Sequence, residues 1–325
     1  MSEPLAAGYT VRHPEFADAA AVHDVIVASE TQEFGEAEGF SLEDLESDWK
    51  QLQLSQEAWV VVAPDGALAG YGYVKDRRHV RVDAEIYVHP IHYGRGIGTT
   101  LVRLAEARAR EHVPLAPPGT RVVVNNWINA RNPEARSLLE REGYTPERYF
   151  FRMEIELGEE QPLPQWPEGF VVRSGAGDQD LRAFYETTEE AMADNWGHVP
   201  RSYEEWSERR ARSSFDPSLW FLAQHGGDSV AAVLCSISDG IGWIDTLAVR
   251  KLWRRRGLGS ALLTHAFAAL HERGMRRMAL GVDAENPTGA TRVYERAGMR
   301  VSQQYATYSK ELRAGIDLAD VGEDG

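Results

Sequence analysis

Arg254-Arg255-Arg256-Gly257-Leu258-Gly259-Ser260 is a basic, glycine-bearing turn between two apolar patterns. Ahead of it runs Trp243-Ile244-Asp245-Thr246-Leu247-Ala248-Val249. Behind it, Leu262, Leu263, Ala266, Phe267 and Leu270 recur at helical spacing. A strand that passes into a helix through such a turn makes an anion site, because unpaired N–H groups and the positive end of the helix dipole meet there. Gly257 and Gly259 let the backbone approach a ligand without a Cβ in the way.

The turn has a sister. Gly94-Arg95-Gly96-Ile97-Gly98 matches Arg255-Arg256-Gly257-Leu258-Gly259, Tyr9-Thr10-Val11-Arg12 matches Phe170-Val171-Val172-Arg173, Trp59 matches Trp220, and Val88 matches Val249. Each pair is separated by 161 positions (257 − 96, 173 − 12, 249 − 88). Register held over so long a stretch marks a duplicated domain. Further on, Glu142-Gly143-Tyr144 matches Ala297-Gly298-Met299 at 155 (298 − 143), so the first copy carries six extra residues (161 − 155). The Pro-rich stretch 112–121 is where they would loop out.

Each copy reads in the same order. An opening strand (9–12; 170–173) and a helical region (17–29; 181–193) lead to an acidic helical stretch and a hairpin (58–63 and 68–74; 219–223 and 229–237). A fourth strand (84–88; 243–249), the glycine turn and a long helix (97–111; 258–273) follow. A fifth strand (121–125; 277–282), a helix (133–142; 287–297) and a closing strand (149–157; 304–311) complete the copy. Strands before, between and after helices predict an α/β fold of the α+β kind, with a mixed central sheet flanked by helices in each domain. The expected organisation is domains at 1–157 and 169–314, a Pro-rich linker at 158–168 and an acidic tail at 315–325.

The chain of 325 residues is 43% hydrophobic and 26% charged, ordinary for a globular protein with two cores. A formal charge of −15 disfavours nonspecific attachment to nucleic acid or to an anionic membrane. The sequence shows neither a basic–apolar leader nor a run of about 20 apolar residues, so a cytoplasmic location is expected. Cys235, the single cysteine, sits in an apolar run and reads as a small core residue. The acidic stretch Glu30–Asp48 has eight carboxylates and no Lys or Arg. It reads as a solvated helical face or as a means of steering a cationic molecule.

Taken together, Leu247-Ala248-Val249, Arg254-x-x-Gly257-x-Gly259 and Asn286-Pro287-x-x-Ala290-x-x-x-Tyr294-x-x-x-Gly298 resemble the GNAT superfamily of N-acetyltransferases, in both halves of the chain. The tandem layout, with Asp194-Asn195-Trp196-Gly197, also resembles mycothiol synthase and related proteins. The resemblance implies acetyl transfer from acetyl-CoA, as cosubstrate and without a metal, to a primary amine of a small molecule by direct attack. A mycothiol-synthase-like acceptor, a cysteinyl amine on a glycosyl-inositol, and a noncatalytic acyl-CoA-binding or sensor role are the alternatives. The implied protein is a monomer or homodimer.

Within that frame, the N–H groups of Arg255, Arg256, Gly257, Leu258, Gly259 and Ser260 would hold the CoA pyrophosphate, with Arg254 adding charge. Leu247, Ala248 and Val249 would receive the pantetheine arm and polarise the thioester carbonyl. Asn286 would touch CoA or, with Pro287, start a helix. Tyr294 would protonate the leaving thiolate. Asp245, in phase with Leu247 and Val249 on a regular strand, is the first candidate for general base; Glu189, Glu190, His198, Glu204 or a water chain are the others. The first copy lacks these groups: Tyr93 stands at the Arg254 position, Leu139 at that of Tyr294 and Ala84 at that of Asp245. Chemistry is therefore expected in the second half.

Overall fold

The computed structural model describes residues 4–35, 37, 41–159, 163–175, 178–207, 215–238, 240–286 and 288–317. Pro287, residues 160–162 of the linker, 318–325 of the tail, 208–213 of the second helical region, and 36 and 38–40 of the acidic stretch lie outside them. The chain divides into two compact units, Met1–Tyr149 with Gln304–Gly325, and Phe150–Gln303.

In chain order the first half contains β1 (Thr10–Arg12), α1 (Ala19–Phe34), α2 (Leu42–Trp49), α3 (Leu54–Glu57), β2 (Ala58–Val62), β3 (Leu68–Arg77), β4 (Arg81–Val88), α4 (Ile97–His112), β5 (Val122–Asn129), α5 (Pro133–Arg141) and β6 (Thr145–Glu156). The second contains β7 (Phe170–Ser174), α6 (Asp178–Met192), α7 (Tyr203–Ser207), β8 (Trp220–His225), β9 (Asp228–Ser238), β10 (Ile241–Val249), α8 (Leu258–Glu272), β11 (Arg277–Asp283), α9 (Ala290–Arg296) and β12 (Arg300–Arg313).

The first unit's sheet runs β1-β2-β3-β4-β5-β12, and the second unit's runs β7-β8-β9-β10-β11-β6. In each, the neighbours pair antiparallel except β4–β5 and β10–β11, which are parallel. Helices cover both faces. In the second unit, Leu258, Leu262, Leu263, Ala266, Phe267 and Leu270 form the buried stripe of α8 and pack on one face of the sheet. Each large side chain so buried contributes about 1.5–3 kcal/mol. On the other face, Leu181 and Phe184 of α6 and Trp206 of α7 pack on Trp220, Leu222, Ala232 and Leu234. The first unit repeats this with α4 on one face and α1 and α2 on the other.

Two expectations change. A closing strand was expected to complete its own copy. Instead Tyr305–Arg313 pairs with Asn129–Val122 of β5, and Phe150–Glu156 pairs with Asp283–Arg277 of β11. Each unit therefore completes its sheet with a strand from the other copy's sequence. Alternation marks a segment as a strand but does not name its partner, and the duplication offers two equivalent edges. The expected helix over 287–297 is shorter, beginning at Ala290 after Gly289, whose φ of 72° breaks helical geometry. In the first copy Asn132 does cap α5, accepting from Ala135 N–H at 2.9 Å.

Candidate active site

Beyond Trp243, β10 loses its parallel neighbour. Ile241–Trp243 align with Arg277–Ala279, while β10 stays paired to β9 as far as Val249. The β10 backbone that would face β11 after Trp243 has no strand beside it among the described residues, and Leu247-Ala248-Val249 lie on this splayed stretch. Leu247 and Val249 turn their side chains into the α8 core.

At the end of β10 the chain makes the turn. Arg255 adopts φ 63° and Gly257 φ 83°, both in the left-handed region. The sister residues Gly94 and Gly96 adopt 71° and 74°, so the conformation belongs to the turn, and Arg255 carries the strain of a side chain at a position where the first copy has glycine. Helix α8 starts directly at Leu258. Its first intrahelical bond joins Ala261 N–H to the Gly257 carbonyl at 3.0 Å, and Gly257 offers no capping side chain. The amides of Leu258, Gly259 and Ser260 therefore lack helical partners and form the positive end of the helix. A Cβ built on Gly257 would meet nothing within 4 Å, so this side of the turn is open.

Its sister is covered. Ala6 N–H donates to the Arg95 carbonyl at 2.9 Å, and a Cβ on Gly96 would collide with the Pro4 carbonyl. Residues 4–6 lie where the second unit's turn is open.

Arg254 does not project into that opening. Its Nε donates to the Val249 carbonyl at 3.2 Å, one terminal nitrogen to Asp194 at 2.9 Å and the other to the Ala191 carbonyl at 3.0 Å. The side chain thus clips the C-terminal end of α6 to the turn, and it holds the Asp194 carboxyl below its ordinary range, with Lys251 assisting. Arg256 stacks over Trp253 at 4.7 Å. Asn286 accepts from Thr288 N–H at 2.9 Å and caps a local turn rather than a helix.

Tyr294 is 7% exposed, packed in the α8 core on α9. Its hydroxyl has no hydrogen-bond partner among the described residues, and burial pushes its pKa up to about 12. Leu139, its sister, is buried in the first unit's core.

Asp245 differs from expectation. The ladder pairs Ile244 with Cys235 and Thr246 with Leu234, leaving Asp245 as the extra residue of a β-bulge. The first copy pairs Ala84 with Val74 and Glu85 with Tyr73 without a bulge, so Ala84 corresponds to Ile244 and Asp245 has no counterpart. The bulge breaks strict alternation with Leu247 and Val249. The exposed carboxylate instead accepts from Ser236 Oγ at 3.0 Å, beside the sheet face that packs on α6. Cys235 is fully buried, and burial together with nearby Asp245 raises its thiol well above the ordinary value.

Among the other carboxylates, Glu189 is committed. Burial works to raise its pKa, but His198 and Arg201, the latter at 2.8 Å, hold it down to about 2. Glu190 faces Arg250 at 3.3 Å. Glu204 lies exposed on α7.

The α6-facing side of the sheet carries groups that sequence reasoning missed. Ser236, Trp243, Ala279 and Glu154 follow one another across β9, β10, β11 and β6. Arg152, 3% exposed, sits 4.7 Å over the Trp243 ring and 2.6 Å from Glu154. Its ladder partner Gly281 is exposed, with open space where a Cβ would be. Phe150 packs against Trp196 at 5.9 Å. Arg152, Glu154 and Glu156 alternate on β6, a signal of a polar strand face, but they belong to the strand whose partner was not legible.

The Acetyltransferase (GNAT) family matches residues 18–144 and again 181–299. The chain is 31% identical over 264 residues to a mycothiol acetyltransferase from Frankia casuarinae, covering 77% of this chain and 72% of that one. It is 30% identical over 256 residues to the mycothiol acetyltransferase of Streptomyces avermitilis, covering 78% and 79%. Among solved structures, a GCN5-related N-acetyltransferase from Sphaerobacter thermophilus superposes with a TM-score of 0.85 at 40% identity, covering 97% of this chain and 99% of that one. A tandem GNAT protein from the clavulanic acid biosynthesis pathway superposes at 0.72 with 16% identity, covering 94% and 99%, a likeness of fold. No helix among the described residues is long and apolar enough to cross a membrane. The chain belongs to the GNAT acetyltransferase family, whose domain it carries twice in tandem.

Proposed function

We propose that the second unit transfers an acetyl group from acetyl-CoA to a primary amine of a small molecule, and that the first unit supports it without catalysing. The observation that carries this reading is the contrast between the two turns. The second has free helix amides, an open approach, a splayed strand ahead of it and Tyr294 in the adjoining core. In the first, Pro4–Ala6 cover the turn and Leu139 replaces the tyrosine.

In this reading the pyrophosphate sits on the amides of Leu258, Gly259 and Ser260, and the pantetheine arm runs along Leu247–Val249. The acceptor enters from the α6 side, over Trp243, Arg152 and Asp245. The amine nitrogen attacks the thioester carbon, the C–S bond breaks, and the electron pair leaves on sulfur. Asp245, directly or through water, takes the proton the ammonium must lose.

Tyr294 donates a hydrogen bond to the departing sulfur. With its pKa near 12 against about 8.5 for an ordinary thiol, full transfer to an unperturbed thiolate is uphill by roughly 5 kcal/mol. Burial of the thiolate narrows that gap, and stabilisation by the O–H needs no complete transfer.

Calorimetric titration with acetyl-CoA tests the division of labour. One site per chain, abolished by Gly257→Val, is expected; two equivalent sites would overturn it. A mycothiol-type acceptor is the second reading, supported by the relatives' names, and direct assay of that acceptor decides it. Thiol release that no amine accelerates would instead indicate a noncatalytic acyl-CoA-binding protein.

A further inference from the structure

Within the first unit, three side chains converge on one point. Asp76 lies near the end of β3, His79 in the turn to β4, and His112 is the last residue of α4. Asp76 Oδ2 is 3.1 Å from His79 Nδ1, and Asp76 Oδ1 is 3.5 Å from His112 Nδ1. The two Nδ1 atoms are 2.8 Å apart. One ligand atom from each residue lies within 4.8 Å of the others. Donors placed about 2.1 Å from a shared tetrahedral ion stand roughly 3.4 Å from each other, so the two imidazole nitrogens at 2.8 Å would separate by roughly 0.6 Å and the carboxylate would turn one oxygen toward both.

Protons alone serve this cluster poorly. Only one can lie between the two imidazole nitrogens. If His112 supplies it, the lone pair of His79 faces the Asp76 carboxylate. If His79 supplies it, His112 carries its own proton on Nε2, which is buried without a hydrogen-bond partner. A dication answers two imidazole lone pairs and a carboxylate at once. The surroundings hold the donors in place: Asp76 Oδ1 also accepts from His79 N–H at 2.8 Å, fixing the carboxylate. Arg108, one helical turn before His112 on α4, is answered by Glu111 at 2.7 Å and Glu57 at 3.9 Å.

We propose that Asp76, His79 and His112 form a binding site for a divalent transition-metal ion, zinc by ligand type, that ties the β3–β4 turn to the end of α4. Two nitrogens and one carboxylate oxygen suit Zn(II), with water in the fourth position.

The test uses the full chain, stripped with a chelator and titrated with Zn(II) by calorimetry, and separately loaded with Co(II). Expected are one ion per chain, the visible absorption of four-coordinate Co(II), and a higher melting temperature with Zn(II). His79→Gln and Asp76→Asn, which touch partly exposed side chains, should weaken binding at least about tenfold while leaving the circular dichroism spectrum unchanged. His89→Gln, at a separate histidine, should bind as wild type does. Absence of binding, or equal binding by wild type and both cluster variants, would overturn the proposal and leave a hydrogen-bonded histidine pair. If either variant loses its fold, the stripped wild type still decides, because a proton-only cluster gives no Co(II) band.

Discussion

Arg254 and Asp194 meet at 2.9 Å across 60 positions of sequence, and the same guanidinium holds the carbonyls of Val249 and Ala191. The residue that sequence reading places against phosphate therefore joins the turn to the α6 end, where the proposed cosubstrate and acceptor regions adjoin. Arg254→Ala should raise KM for both substrates about tenfold, since it removes charge-assisted hydrogen bonds worth ~1.5–3 kcal/mol each before relaxation. Asp194→Asn removes only a partly exposed ion pair and should cost two- to fivefold, from ~0.2–1 kcal/mol. Steady-state kinetics with each substrate varied separates the cases. A KM rise confined to acetyl-CoA and steeply dependent on salt would mean that Arg254 contacts phosphate instead.

Tyr294→Phe removes one oxygen that bonds to nothing among the described residues, so the fold should tolerate it. The proposed donation to sulfur predicts kcat lower by ~10²-fold with little change in acetyl-CoA affinity. Stopped-flow thiol release and calorimetry measure the two quantities. Turnover near wild type would remove Tyr294 from the mechanism.

Asp245→Asn keeps the bond from Ser236 Oγ and the bulge, but removes the proposed base. Activity should fall ~10²-fold at neutral pH, and the deficit should shrink as pH rises and the amine deprotonates without help. A deficit constant across the pH profile would assign Asp245 a positioning role.

The duplication, the strand–turn–helix at 243–273 and the differences between the copies at Tyr93, Ala84 and Leu139 were legible because each is local or periodic. Asp245 is in phase with Leu247 and Val249 only on a regular strand, and the bulge that breaks this phase shows only when β10 is laid against β9. Arg152 and Glu154 were out of reach for a related reason: they reach the candidate site on a strand contributed by the other copy. Arg254 shows the limit of motif reading, because its carbonyl partners at Val249 and Ala191 have no sequence signature. The acidic stretch is partly structural as well. Glu30 is buried, and Glu33, whose pKa burial raises, accepts from Asn132 at 3.0 Å.

Glu189 predicts an acid-labile anchor. Its folded pKa of about 2 lies below the ordinary value of 4.5, so its contribution is full above pH 4.5 and is lost as pH falls toward 2. Solvent screening of this half-buried group with Arg201 and His198 limits the effect to ~1–2 kcal/mol. Glu189→Gln should lower the melting temperature at pH 7 and leave a smaller difference from wild type near pH 3. An equal difference at both values would show that the ion pair contributes nothing.

The exchanged closing strands predict that the chain cannot be cut into its two sequence repeats. A fragment 1–157 retains β5 but loses Tyr305–Arg313, which pairs with it from Asn129 to Val122. A fragment 169–314 retains β11 but loses Phe150–Glu156. Each would expose a sheet edge and the core under it, including the sites where buried Tyr308 and Met153 pack. Expressed alone, both fragments should be insoluble or should melt without a cooperative transition. Joining 304–314 to the first fragment through a flexible linker, antiparallel to β5, should restore cooperative melting. Cooperative unfolding of the unmodified 1–157 fragment would show that the closing strand is dispensable to the first unit.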